Sequence, residues 1–256
     1  MRSVVLGYHG VADSRLRDDM SRLLVTPRLF ETHVQLLKES GFEFVTFVEL
    51  ARRAQGGIPP AGLAAITFDD GMRNNHSVAL PILQAHGISA TVYVTTGFMG
   101  DVSPWVTNKT SGAMLRESEI RELAAAGWEV GGHTVNHPDL SLLDYDECRR
   151  EIVDGRDALQ QMTQVPVETF AYPFGRYGEA AVAAVRDSGF KAAVTIGSGC
   201  WDPYEMTRAM ISALDPMSVT WLKLTDRYEP LLGSAPMRAV RKISKGARSV
   251  ARSWPS

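Results

Sequence analysis

Two acidic residues stand side by side in Thr67-Phe68-Asp69-Asp70-Gly71, and two histidines stand four apart in His133-Thr134-Val135-Asn136-His137. Adjacent carboxylates repel each other unless a cation or a proton lies between them. Imidazoles four residues apart on a helical turn share one side of it. With Asp70 as a third donor, they form a His-His-carboxylate set that binds a metal and leaves positions for water and substrate. The alternative is a pair of surface histidines on a loop. The acidic pair in a separate segment argues for the metal set. A third histidine, His9, follows Tyr8 after a short apolar run.

These groups need a scaffold that gathers distant segments. Val4 to Leu6 reads as a first strand. Thr26-Pro27 then supplies an N-cap and an early proline for a helix carrying Phe30, Val34 and Leu37, with Gly41 as its stop. Further strands are predicted at 64–68, 90–95, 128–130, 168–172 and 191–196. Helices are predicted at 78–85, 117–126, 144–162 and 178–188. The β–α alternation predicts an α/β fold, a parallel sheet with helices outside, open or closed. Periodicity does not decide closure. In a barrel, chemistry sits at the carboxyl ends of the strands. Tyr8-His9, Asp69-Asp70-Gly71, Gly131-Gly132-His133 and Tyr172-Pro173-Phe174-Gly175 all fall at predicted strand ends.

Together, the two motifs and the distance between them resemble the polysaccharide deacetylase family, carbohydrate esterase family 4 with its nodulation-type deacetylase homology domain. The resemblance covers roughly residues 1–215. It implies a distorted (β/α) barrel of about seven parallel strands and a divalent metal. Zinc is expected, with cobalt, nickel or manganese as alternatives. It also implies hydrolysis of N-acetyl groups on an N-acetylated glycan, with Asp69 as general base and Asp70, His133 and His137 as metal ligands. Two positions depart from the commonest pattern. The family's third motif carries an Arg where this chain has Ala171, and the late Leu-Xaa-Xaa-His motif is missing because no His follows His137. Both departures are similar to the poly-N-acetylglucosamine deacetylases, whose acid histidine follows the first strand in a Tyr-His motif. That resemblance makes His9 the general acid. Arg208 is the candidate replacement for the missing Arg, with an ordinary salt bridge as the alternative. The Phe174 N–H, after Tyr172-Pro173, is the candidate oxyanion donor. Trp105, Trp201 and Tyr172 are candidate sugar-stacking rings, with core packing as the alternative. Asn74 or Asn75 would bind a substrate hydroxyl or cap a helix. Two other readings stand beside this one: a barrel that binds glycan without cleaving it, and hydrolysis of a non-sugar amide or imide at the same site.

Composition bounds the remaining classes. The 256 residues are 45% hydrophobic and 22% charged, with 27 basic against 29 acidic side chains. These are globular proportions, and a net charge of −2 gives no general affinity for nucleic acid. There is no phosphate loop, nucleophile elbow or dinucleotide fingerprint. Two cysteines, Cys148 and Cys200, are too few for a disulfide framework or a Cys-rich zinc site. Met1-Arg2 and the short apolar run after it do not form a signal-peptide core, so a cytoplasmic location is expected.

The domain reading is a catalytic unit over 1–235 and a basic tail over 236–256. From Met237 onward there are six cations and no acid. Val240, Ile243, Ala247, Val250 and Trp254 recur at three and four residues, the pattern of a basic amphipathic helix that favours an anionic membrane surface. Full-length protein should therefore float with vesicles containing anionic lipid, and a form ending at Ser234 should not. Equal flotation of the two would remove the membrane role of the tail.

Overall fold

The computed structural model describes residues 2–13, 23–54, 57–104, 112–197 and 199–224. Trp105, the boundary at 235 and the basic tail lie outside these residues. Seven parallel strands close into a barrel: β1 (Val4–Tyr8), β2 (Leu63–Phe68), β3 (Thr91–Val94), β4 (Glu129–Gly132), β5 (Thr169–Ala171), β6 (Ala192–Ile196) and β7 (Met206–Met210). Each strand pairs with the next. β1 closes the ring, pairing Val4 to Tyr8 with Ala64 to Phe68 of β2 on one edge and Leu6 and Gly7 with Ala209 and Met210 of β7 on the other. The fold is the distorted (β/α) barrel expected.

Six of these strands were legible as apolar or β-branched runs. β7 was not, because Met206-Thr207-Arg208-Ala209-Met210 puts a charge at its centre. The distortion has a local cause. A two-residue strand, Glu43–Phe44, pairs with Leu63 and Ala64, while β3 takes Thr67 and Phe68 of the same β2 edge. The wall between β2 and β3 is therefore split at its lower end. Helix α2 (Phe47–Ala54) fills the gap, burying Phe47 and Leu50 against Val5, Leu63 and Ala65 inside the barrel.

Alternation along the strands divides the core in two. Val4, Leu6 and Tyr8 of β1 and Ala64, Ile66 and Phe68 of β2 face the surrounding helices. The interior layer combines small residues, among them Ala65, Ala171 and Ala192, with the Tyr93 ring and the Phe47 and Leu50 side chains of α2. The outer helices are α1 (Pro27–Glu39), α3 (Leu80–Ala85), α4 (Glu117–Ala125), α5 (Tyr145–Thr163), α6 (Glu179–Asp187) and α7 (Met217–Leu224). The Thr26 cap forms as predicted, with its side chain accepting from the Leu29 N–H at 3.3 Å. Asp144 and Glu147 make a reciprocal capping box at the start of α5, a device worth about 1 kcal/mol. Phe30, Val34 and Leu37 of α1 are fully buried, each stabilising by roughly 1.5–3 kcal/mol. Among the described residues, no helix is long and apolar enough to cross a membrane.

His33 on that face of α1 is buried too, with Nδ1 3.1 Å from the Tyr8 hydroxyl. Burial lowers its pKa to about 4, against an opposing pull from Asp215. The unfolded chain therefore binds the proton first as pH falls, so this group's stability is complete above about pH 6.5 and is lost toward pH 4. Relative to His33→Gln, the wild type should lose about 3 kcal/mol between pH 7 and pH 4. Chemical denaturation in chelator, at stepped pH, measures this. Parallel curves for the two proteins would show that His33 does not titrate on unfolding.

Candidate functional site

The strand register converts distant motifs into neighbours. Pairing of Tyr8 with Phe68 sets His9 opposite Asp69, and the Asp69 N–H donates to the Tyr8 carbonyl at 2.9 Å. Pairing of Val94 with Gly132 sets His133 opposite Thr95, whose N–H donates to the Asp70 carbonyl at 3.2 Å, so the His133 segment reaches the Asp70 end through β3. A cavity of about 230 Å³ at the carboxyl ends of the strands is lined by His9, Asp69, Asp70, His133, His137 and Phe174, with Leu23, Gly175 and Ile196.

Asp70 Oδ1 lies 3.4 Å from His133 Nε2 and 3.4 Å from His137 Nε2. One donor atom from each of the three residues lies within 4.8 Å of the others. Tetrahedral ligands at ~2.1 Å from a zinc ion stand ~3.4 Å from one another, so the spacing matches a shared ion. The donor chemistry, two imidazoles and a carboxylate, suits zinc and its borderline neighbours. The His133 tautomer is set from behind. Its Nδ1 lies 2.7 Å from the Ala171 carbonyl, so Nδ1 carries a proton and Nε2 is the nitrogen turned to the cavity, the one that would ligate a metal. Burial would raise the Asp70 carboxyl, but hydrogen bonds from His133 and His137 hold it well below the ordinary range.

Asp69 faces the barrel interior and has a different partner. The Arg208 Nη1 donates to Asp69 Oδ1 at 2.7 Å, Nη2 donates to Oδ2, and Nη1 also donates to Thr67 Oγ1 at 2.8 Å. Both side chains are almost fully buried. Burial raises the Asp69 carboxyl, yet Arg208 beside it brings the net direction down. Arg208 reaches across β1 beside Gly7. A Cβ there would lie 2.2 Å from Met210 Sδ and 3.4 Å from Arg208 Cδ. The guanidinium also lies over the Tyr93 ring, 5.5 Å from its centroid.

His9 is held through its backbone. Asn75 Nδ2 donates to the His9 carbonyl at 2.8 Å, and the Val11 N–H donates to Asn74 Oδ1 at 2.9 Å. These asparagines clamp the His9 segment rather than facing the cavity or capping a helix with a side chain. Asn75 opens a π-helical turn, Asn75–Ala79, ahead of α3.

Other expectations are corrected. Tyr172 is fully buried. Its hydroxyl donates to the Tyr204 carbonyl and its ring stacks on Tyr177, so it offers no face to a ligand. Pro173 is buried at the base of the turn. Trp201 is absent from the cavity lining and packs instead on the interior cluster that includes Val5, Ala192 and Met206. Phe174 does reach the site. It is 54% exposed, its ring packs edge-on against His137, and its backbone is left-handed at φ 59°. Among the described residues, no hydrogen bond takes up its N–H. Glu151 of α5, which the motifs did not reveal, accepts from the Val135 and Asn136 N–H groups between the two histidines. The readable signal was Gly155 inside a helix, a mark of close packing.

Comparison with known proteins agrees with this geometry. The family profile described as polysaccharide deacetylase matches residues 56–193. A Bacillus subtilis (strain 168) relative, YxkH, itself named for polysaccharide deacetylation, is 26% identical over 196 residues. That match covers 76% of this chain and 64% of the relative, so the chain spans somewhat under two thirds of it. A Staphylococcus aureus (strain MRSA252) protein named poly-beta-1,6-N-acetyl-D-glucosamine N-deacetylase is 25% identical, over 82% of this chain and 79% of its own. The Streptococcus pyogenes deacetylase PplD, solved in complex with acetate, superposes with a TM-score of 0.75 at 26% identity, over 88% of this chain and 98% of that one.

Removing one member of a buried ion pair leaves an uncompensated charge, at a cost of about 3–5 kcal/mol. Arg208→Met should lower unfolding stability by that order, and adding Asp69→Asn to it should restore part of the loss. Urea denaturation of the two variants at pH 7 decides this. A double variant less stable than the single would mean the pair is not coupled.

Proposed function

The chain belongs to the polysaccharide deacetylase family, and from that premise we propose that it hydrolyses N-acetyl groups on an N-acetylated poly- or oligosaccharide, releasing acetate. The observation that carries this reading is the convergence of Asp70, His133 and His137 on one cavity with Asp69 and His9 beside them. The name of the Staphylococcus relative makes poly-β-1,6-N-acetylglucosamine the first substrate to try.

Asp70, His133 and His137 would hold a divalent metal, with zinc the favoured ion and cobalt, nickel or manganese the alternatives. When bound there, such an ion polarises an acyl oxygen and acidifies water. The chain's own residues do the rest. Asp69, kept ionised by Arg208, takes a proton from the attacking water. Each carboxylate oxygen has more than one acceptor site, so the bonds to Arg208 leave Asp69 able to accept it. Arg208 acts through Asp69 as its orienting partner. The Phe174 N–H, presented by its left-handed turn, donates to the oxyanion, a contribution of about 3 kcal/mol in comparable sites. His9 donates a proton to the sugar nitrogen as the C–N bond breaks, and the free amine and acetate leave. Leu23, Phe174 and Ile196 form an apolar wall on which the acetyl methyl and the sugar face can rest. Attachment to an anionic membrane surface through the tail would bring the site to lipid-linked glycans.

Acetate should be released from poly-β-1,6-N-acetylglucosamine or chitin oligomers, lost on chelation and regained with zinc or cobalt. Asp69→Asn should lower kcat by at least ~10³-fold and His9→Ala by about 10²–10⁴-fold, the latter with unchanged metal content. No acetate from the wild type on either glycan would sink the sugar reading, and full activity in His9→Ala would place the acid elsewhere.

A further inference from the structure

The two histidines of the donor set are held by different means. His133 directly follows β4, and its ring is fixed by the Ala171 carbonyl. His137 stands at the end of a four-residue turn whose backbone is unusual. Thr134 has φ 67° and His137 φ 56°. Left-handed backbone is uncommon for any residue with a Cβ and is an outlier for a β-branched one such as Thr134. Strain of this kind persists only where the surroundings over-determine it.

The surroundings here are named groups. On one side, the N–H groups of Thr96 and Gly97 donate to the Thr134 and Val135 carbonyls at 3.2 and 2.9 Å. On the other, one carboxylate takes three bonds. Glu151 Oε2 accepts from the Val135 N–H at 3.0 Å and the Asn136 N–H at 2.8 Å, and Oε1 accepts from Asn136 Nδ2 at 2.7 Å. Successive N–H groups converging on one oxygen form a small anion cradle, and bonds to an ionised acceptor are about twice as strong as neutral ones. Glu151 comes within reach because Gly155, one turn later on the same face of α5, lies against the Thr134 backbone. A Cβ on residue 155 would meet the Thr134 carbonyl carbon and oxygen at 3.1 Å.

We propose that Glu151 is a positioning residue, holding the left-handed turn that aims the His137 ring at Asp70. This rests on the metal site described under the proposed function. Glu151 is absent from the cavity lining, and its bonds go to the turn and not to the donor atoms. It acts by fixing the backbone from which one donor projects, so its loss should loosen that donor and leave Asp70 and His133 in place.

The test uses the full-length chain, stripped of metal, and Co²⁺ alone as the probe. Affinity is measured by competition with a chelator and the visible spectrum of bound Co²⁺ is recorded. Glu151→Ala should bind Co²⁺ about 10- to 100-fold more weakly, the range for partners that orient a metal ligand, with a changed spectrum. Glu151→Gln should stay within about threefold of wild type, because its amide oxygen still accepts from both backbone N–H groups while the Asn136 amide turns over to match. Glu151→Asp keeps the charge on α5 but is one methylene short of the turn, and should weaken binding about tenfold. It replaces the alanine variant if that protein fails to fold. Alanine and aspartate variants within about threefold of wild type, with its spectrum, would overturn the proposal alone. A wild type that binds no Co²⁺ would overturn the metal reading and this inference with it.

Discussion

Two carboxylates occupy consecutive positions at the mouth of the barrel, both buried, and each needs its own source of positive charge. Without that, the cost of burial would drive a proton onto at least one of them. The fold separates the two by direction. Asp69 faces inward and meets Arg208, while Asp70, with a left-handed backbone at φ 70°, turns toward the two imidazoles. The Asp69 partner is permanently charged, so it keeps a proton acceptor available. The partners of Asp70 are two imidazole nitrogens, which can bond it directly or share a cation with it. One strand end thus carries two groups of the same type with different chemistry.

The neighbourhood is shaped around this separation. Next to the site the barrel wall carries Gly7 beside Arg208 and Thr67, whose hydroxyl accepts from the guanidinium. Five non-glycine residues among those described have a left-handed backbone, and four of them, Asp70, Thr134, His137 and Phe174, lie at the cavity or in the turn between its two histidines. Asn74, Asn75, Glu151 and the Ala171 carbonyl hold the segments that carry His9, His137 and His133. These supports come from β5, α5 and the turn before α3, so the site draws on most of the molecule.

Much of the scaffold was legible because its signals are local. The Thr26 cap, the glycine stop at Gly41 and the apolar runs of six strands each depend on a few adjacent residues. β7 escaped because its inward side chain is Arg208, which reads as surface until its carboxylate partner is known. Tyr172 and Trp201 were misplaced for the opposite reason. An aromatic ring has the same composition signal whether it lines a cavity, packs under a turn or packs on an interior cluster.

The sequence by itself determined which groups are available for chemistry and near which strand ends they stand, since motif spacing and β–α alternation are properties of the chain. It also carried the Asp70, His133 and His137 donor set and the Tyr8-His9 motif after the first strand. Closure of the barrel, the pairing of Asp69 with Arg208 across Gly7, the left-handed turn between His133 and His137 and its anchoring by Glu151 were decided only in three dimensions. Each depends on contacts between residues far apart along the chain, 139 positions for Asp69 and Arg208. Register and packing set those distances, and no local propensity encodes them.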